Sequence, residues 1–380
     1  MRNISWRHFD FWLLGAVAFL TIFGVAMIGS AIAGNPTLVE ANTVAKQMIF
    51  AVAGFAVMFL TAVIDYRYWS AVSNFLYLIT AGVLAVLYLF GAALFGSTRW
   101  FTLGPILIQP SEIAKIIIIL ILADYFSKNI EKINRPLTIL RSVLVTGGIM
   151  IWVLIQPDLS TSIVLLVLWF ALLWASGLEV KQLLIASGAG AMALLVGFPL
   201  MLLSYSTEKS GGLIKPYQIR RIINFLFPEE DASYGAIYNV QQALISIGSG
   251  GWLGRGYGSG SQVQLRFLKV RHSDFIFSSI AEEFGFAGAL AVLLLLAFII
   301  YRCLRAARMA GDTYGALTAY GVATLITFQT IVNISVNLKL LPVTGLTLPF
   351  VSYGGSSLIT LFIGIGLVES IILRHKELEF

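Results

Sequence analysis

Apolar residues fall into ten long windows, at about 10–32, 46–64, 71–95, 111–127, 138–155, 160–176, 182–204, 275–301, 314–337 and 349–372. Runs of about 17–25 such residues have the length of a helix crossing a bilayer. The pattern therefore predicts about ten transmembrane helices. Only Gln156-Pro157-Asp158-Leu159 separates the fifth from the sixth, so those two form a tight hairpin. The first window follows Arg2, Arg7 and His8 and ends near Ala31-Ile32-Ala33, as a leader would. It is nevertheless longer than the 7–15 residues of a leader's apolar core, and it reads as a retained span.

One long polar interruption, 205–274, separates helices 7 and 8. Loops of that length are functional or disordered, and this one has internal pattern. Ile219 to Phe227 sets apolar residues around Arg220 and Arg221, as a short interfacial helix would. Tyr238 to Ile247 has a second helical pattern, and Gly248 to Gly260 is dense in glycine. Such a backbone can approach a ligand closely.

Composition fixes the class. Of 380 residues 58% are hydrophobic and 12% charged, against about 25% charged in soluble domains. The mean hydropathy is +0.88. The chain reads as an all-α polytopic membrane protein, a single integral domain over 1–380 with a large, partly helical extracellular loop. Orientation follows from the short loops. One side receives Arg2, Arg7, Arg67, Lys128, Lys132, Arg135, Arg141, Lys181, Arg302, Arg305, Arg308, Arg374 and Lys376. The other holds only Lys46, Arg99 and Lys339. Both termini are therefore expected in the cytoplasm and 205–274 outside. The single cysteine, Cys303, rules out an intrachain disulfide.

Four spans open on the outer side with polar residues. The fourth begins Gln109-Pro110-Ser111-Glu112-Ile113-Ala114-Lys115, preceded by Arg99-Trp100, and the sixth begins Gln156-Pro157-Asp158-Leu159-Ser160-Thr161. The eighth follows Arg271-His272-Ser273-Asp274-Phe275-Ile276-Phe277, and the tenth opens with Pro349 to Ser357. Each has a plain structural account. Asp274 suits an N-cap, Glu112 and Lys115 an internal i,i+3 pair, and the small residues close packing. Ionisable residues in spans are costly, however, and usually face a cavity or a partner. Four sets at one depth suggest a shared polar cavity, and the helix N-termini there favour an anionic ligand such as phosphate. The inner halves of the spans look nearly bare.

No zinc pattern joins His8, His272 and His375, and no Walker motif indicates an ATP-driven pump. The basic residues flank spans and form no nucleic-acid face. Glu112, Asp158 and Asp274 are the carboxylates that could hold Mg²⁺ or Mn²⁺ with a substrate pyrophosphate.

From residue 99 to 357 the clusters, with Ala281-Glu282-Glu283 and Leu341-Pro342-Val343-Thr344-Gly345, run in the order of the SEDS (shape, elongation, division and sporulation) family. The chain closely resembles these polytopic glycosyltransferases, which polymerise peptidoglycan. Ala281-Glu282-Glu283 looks more like the elongation branch (RodA) than the division branch (FtsW). Ser273 stands where the family more often has threonine, and Lys269-Val270 where it has Pro-Glu. The resemblance implies glycan transfer from an undecaprenyl-pyrophosphate donor to the GlcNAc 4-hydroxyl of lipid II, at the outer face of a bacterial cytoplasmic (inner) membrane. It implies Asp274 as the essential aspartate, with Trp100 and Asp158 also important, and a class B penicillin-binding protein as partner. Asp274 would be the base. Arg99, Trp100, Glu112, Lys115, Asp158 and Ser356 would bind substrate, and Lys115, Arg99, a divalent cation or helix N-termini would stabilise the departing phosphates. Two rivals predict otherwise. A lipid II flippase needs polar groups through the whole membrane depth, and a non-catalytic scaffold needs no Asp274.

Overall fold

The computed structural model describes residues 8–33, 36–90, 92–94, 97–103, 106–182, 223, 225, 236–265, 267, 268 and 270–375. In chain order it has α1 (Phe11–Ile32), α2 (Pro36–Glu40), α3 (Thr43–Val63) and α4 (Tyr66–Phe90). A small sheet follows, β1 (Ala92–Leu94), β2 (Ser97–Leu103) and β3 (Ile106–Ile108). Then come α5 (Pro110–Lys128), α6 (Pro136–Ile155), α7 (Leu159–Ala175), α8 (Ala236–Ser249) and α9 (Ser261–Gln264). The last three are α10 (Ile276–Met309), α11 (Thr313–Asn337) and α12 (Gly355–Leu373).

Nine of the ten expected windows coincide with α1, α3, α4, α5, α6, α7, α10, α11 and α12. The seventh, 182–204, and the interfacial helix over 219–227 lie outside the described residues, apart from 182, 223 and 225. The helical pattern at Tyr238 to Ile247 is α8. Among the described residues seven helical stretches are long and apolar enough to cross a membrane. The protein is multi-pass.

Helix α5 falls short of that standard because it carries Glu112, Lys115, Asp124 and Lys128 in 19 residues. Its position explains how it tolerates them. It packs against α4, α7, α11 and α12, and Ile116 to Ala123 are all buried. A helix whose middle is enclosed by its neighbours keeps buried ionisable groups such as Glu112 and Lys115 off lipid tails.

Two features depart from the sequence reading. The third window was expected to run as helix to residue 95, but α4 stops at Phe90. The chain then forms an antiparallel sheet in the order β1-β2-β3, so the all-α class needs this small addition. Residues 97–108 are rich in β-branched and aromatic side chains and broken by Gly104, a composition that favours strand. The helix ends away from the four polar starts, expected to be bare, are also not bare. Asp10 accepts a hydrogen bond from Arg302 Nε at 2.5 Å, Asp124 pairs with Lys128 at 2.7 Å, and fully buried Glu369 accepts from Asp10 N at 3.1 Å. Asp124 and Lys128 are four apart on one helix, whereas Asp10, Arg302 and Glu369 are isolated letters that only folding brings together.

Helix α10 is broken at Gly285, whose φ of 65° and ψ of −164° lie in a region essentially reserved for glycine. The break frees backbone groups, and the glycine-rich loop fills them. Phe286 N donates to Gly251 O at 2.8 Å, and Gly256 N donates to Glu283 O at 2.9 Å. Glu282 accepts from Gln262 N at 2.8 Å, fastening the start of α9. A methyl on Gly285 would lie 2.3 Å from Gly254 N. Gly285→Ala is therefore expected to lower the melting temperature in detergent and to expose 250–260 to protease. Wild-type melting and cleavage would show that the docked loop does not depend on this kink.

Candidate active site

Asp158 is the N-cap of α7. Its Oδ1 accepts from Thr161 N at 3.2 Å, so the orphan N–H groups of the first turn are partly satisfied. Its Oδ2 does more, accepting from Thr161 Oγ1 at 2.9 Å and from Gln109 Nε2 at 2.9 Å. Gln109 lies just before α5, whose first turn opens on Pro110, and its own N–H donates to Ser356 Oγ at 2.9 Å. Three helix starts, those of α5, α7 and α12, are thus joined by side chains that the sequence singled out. Arg99 braces the same corner from β2, donating from Nε to Gln156 O at 2.9 Å and from Nη2 to Pro157 O. Trp100, next to it on β2, is half-buried.

One turn into α5, Lys115 Nζ meets Glu112 Oε2 at 2.6 Å. Lys115 is fully buried and Glu112 is 8% exposed, so the pair faces protein, not lipid.

Asp274 does not cap α10. The cap position is Phe275, one residue further on. Asp274 is half-buried, and a methyl on Gly345 would lie 3.9 Å from its Oδ2. Gly345 has φ +82°, which lets the backbone turn beside the carboxylate with no side chain between them. The carbonyl of Asp274 is gripped from α11, where Asn333 Nδ2 and Asn337 Nδ2 both donate at 3.0 Å.

The stretch 341–354 ties the two carboxylate regions together. Asn333 also donates to Leu346 O at 2.8 Å, and Ser160, in the first turn of α7, donates to Thr344 O at 2.5 Å. Ser352 Oγ donates to Ser273 O at 2.8 Å, and Thr347 shares a 2.9 Å hydrogen bond with Ser357. Neighbouring residues 344 and 345, about 3.8 Å apart at Cα, therefore contact the Asp158 side and the Asp274 side respectively. The polar helix starts do share one face.

The expected cation set does not form. Glu112 is engaged by Lys115 and Asp158 by three side chains. Among the described residues no group of three His, Cys, Asp or Glu is placed to hold a metal ion. The sequence reading also passed over Asn333 and Asn337. The asparagines had a signal, since two amides at i, i+4 inside an apolar span are costly unless they do something.

His272 adds a pH-dependent element. Burial, and then the neighbouring Arg271 charge, push its pKa down from 6.5 to about 4. The folded state then holds a neutral ring where the unfolded chain binds a proton, so stability rises with pH across that window and is lost as pH falls from about 6.5 to about 4. Wild type is expected to lose about 1 kcal/mol per pH unit more than His272→Gln between pH 6 and 4.5. Equal slopes in detergent unfolding would show that His272 stays solvated.

Several membrane helices thus bring polar first turns to one end, with Asp274 beside them. This is the arrangement of a polytopic membrane protein with a polar site at one face. Its likenesses are consistent throughout. The FtsW/RodA/SpoVE family model, described as cell cycle protein, matches residues 11–377. The chain is 33% identical to the probable peptidoglycan glycosyltransferase FtsW of Hydrogenovibrio crunogenus, covering 97% of this chain and 92% of that protein. It is 34% identical to the protein of the same name from Thioalkalivibrio sulfidiphilus, covering 98% and 90%. A chain in a solved structure described as showing structural coordination of polymerization and crosslinking by a peptidoglycan synthase complex has a TM-score of 0.80 at 31% identity, covering 97% of this chain and 98% of that one. The rod shape determining protein RodA of Thermus thermophilus has a TM-score of 0.69 at 28% identity, covering 98% and 99%. The chain belongs to the FtsW/RodA/SpoVE family. The relatives named here do not bear out the preference for the RodA branch.

Proposed function

We propose that the chain is a peptidoglycan glycosyltransferase that polymerises lipid II at the outer face of the bacterial cytoplasmic membrane. The observation that carries this is Asp274, a carboxylate held beside the turn that links it to the polar starts of α5, α7 and α12. Asp274 takes the proton of the acceptor GlcNAc 4-hydroxyl as that oxygen attacks the donor's anomeric carbon. The bond to undecaprenyl pyrophosphate breaks and its electron pair leaves with the phosphate. Arg99 and the first-turn N–H groups of α7 and α12 stabilise the departing charge. Trp100, Glu112, Lys115, Asp158 and Ser356 complete the substrate-binding set. Residues 1–380 act as one domain, with both termini cytoplasmic and 205–274 outside, as the Lys/Arg asymmetry of the short loops supports. The partner is a class B penicillin-binding protein, a reading that the likeness to a chain of a peptidoglycan synthase complex favours.

Two observations bear on the branch. Ala281-Glu282-Glu283 suggests elongation, whereas the FtsW name of the curated relatives suggests division. The names weigh more here, because Glu282 and Glu283 are occupied in fastening the glycine-rich loop, a task independent of branch. Complementation of strains depleted of either protein decides between the two.

The direct test is a gel assay with purified lipid II, with and without the partner and divalent cation. A ladder of glycan strands that depends on the partner is expected. Failure to polymerise under every condition, with the folded complex present, overturns the assignment.

A further inference from the structure

At the end of the bundle opposite Asp274, where α1 begins and α10 and α12 finish, lies a cavity of about 300 Å³. Its lining includes His8, Asp10, Trp12, Arg302, Arg305 and His375. The acid in this set is already spent: Asp10 caps α1 by accepting from Leu13 N at 3.0 Å and is neutralised by Arg302. That leaves a wall of cationic or hydrogen-bonding groups contributed from three separate places in the chain. Arg305 is exposed one turn beyond Arg302, and the buried Nδ1 of His375 has no hydrogen-bond partner.

Arginines in the last turns of α10 have a simpler role, since they answer the partial negative charge of a helix C-terminus. That role requires neither a concavity nor histidines brought across it from the other two chain segments. The rim also points to the medium around it. Phe11 and Trp12, in the first turn of α1, are 65% and 75% exposed, and the exposed strip continues through Phe19 and Ile22. Aromatic residues at a span end, leading into an apolar strip, mark the depth of lipid headgroups.

We propose that this cavity binds the phosphate of an anionic phospholipid, in the leaflet opposite the candidate active site. Arg305 donates to the phosphate oxygens as a charged fork, His375 contributes a ring N–H group, and the acyl chains lie along Phe11, Trp12, Phe19 and Ile22. The volume is at the low end for ligand sites, which suits a phosphate with its glycerol.

The test is native mass spectrometry of the full chain in detergent, titrated with phosphatidylglycerol, phosphatidylcholine or inorganic phosphate. Arg305→Ala and His375→Gln are compared with Arg141→Ala, an exposed arginine at the start of α6. Phosphatidylglycerol is expected to bind wild type and Arg141→Ala alike, and Arg305→Ala about fivefold more weakly, the worth of about one interfacial arginine. His375→Gln weakens binding in the same direction, while phosphatidylcholine and inorganic phosphate do not compete. Unchanged affinity in both site variants, equal loss in Arg141→Ala, or displacement of the lipid by inorganic phosphate at equal concentration each overturns the proposal.

Discussion

Asp274→Asn is expected to abolish glycan polymerisation by the purified protein with its partner, while leaving folding and partner binding intact. The substitution keeps the shape of the side chain and removes its basicity. The carbonyl oxygen of residue 274 accepts from Asn333 and Asn337 at 3.0 Å, and these contacts survive. Because Phe275 and not Asp274 occupies the cap position, no cap of about 1 kcal/mol is lost. The two effects therefore separate. A positioned base contributes about 10²–10⁴-fold to rate, so product on a lipid II gel should fall at least a hundredfold with the melting temperature unchanged. Glycan strands of normal length and yield from this variant would remove the carboxylate from the chemistry and favour the scaffold reading. Equal losses of stability and activity would show that Asp274 is structural.

The spans were legible because membrane helices announce themselves by length and apolarity alone. The site was legible only in outline. Gln109, Asp158, Asp274 and Ser356 stand out as polar residues at span starts, and the structure brings their helix starts to one face. The sequence could not show what each does there. Asp274 read as a cap because one residue of register separates it from Phe275, a difference no composition rule resolves. The same limit applied to the metal. Three carboxylates at similar depth looked like a ligand set until the geometry gave Glu112 to Lys115 and Asp158 to Gln109 and Thr161. Gly285 was one glycine among 35 in the chain, and nothing local distinguishes a glycine that breaks a helix from one that lets helices pack. Asp10 lies hundreds of residues before Arg302 and Glu369, so their meeting is a product of topology.

The Glu112–Lys115 pair should behave as a unit in stability and as two parts in function. Lys115 is fully buried, and among the described residues its Nζ has only the Glu112 carboxylate, at 2.6 Å. Glu112→Leu then leaves an ammonium enclosed by protein with nothing to pair with, a loss of about 3–5 kcal/mol in pairs of this kind. Lys115→Met costs less, because Glu112 keeps slight access to solvent and can take up a proton. In the double variant both charges are gone and an apolar pair of similar volume fills the space. Its stability should return to within about 1–2 kcal/mol of wild type, a coupling well above the few tenths expected of independent sites. Activity should not return with it if either charge serves the substrate, for the rebuilt interior would then lack the group that meets the phosphates. Chemical unfolding in detergent reads the first quantity and the lipid II gel the second. Losses in stability that simply add would show that the two residues act separately. A double variant restored in both stability and polymerisation would confine the pair to a structural role.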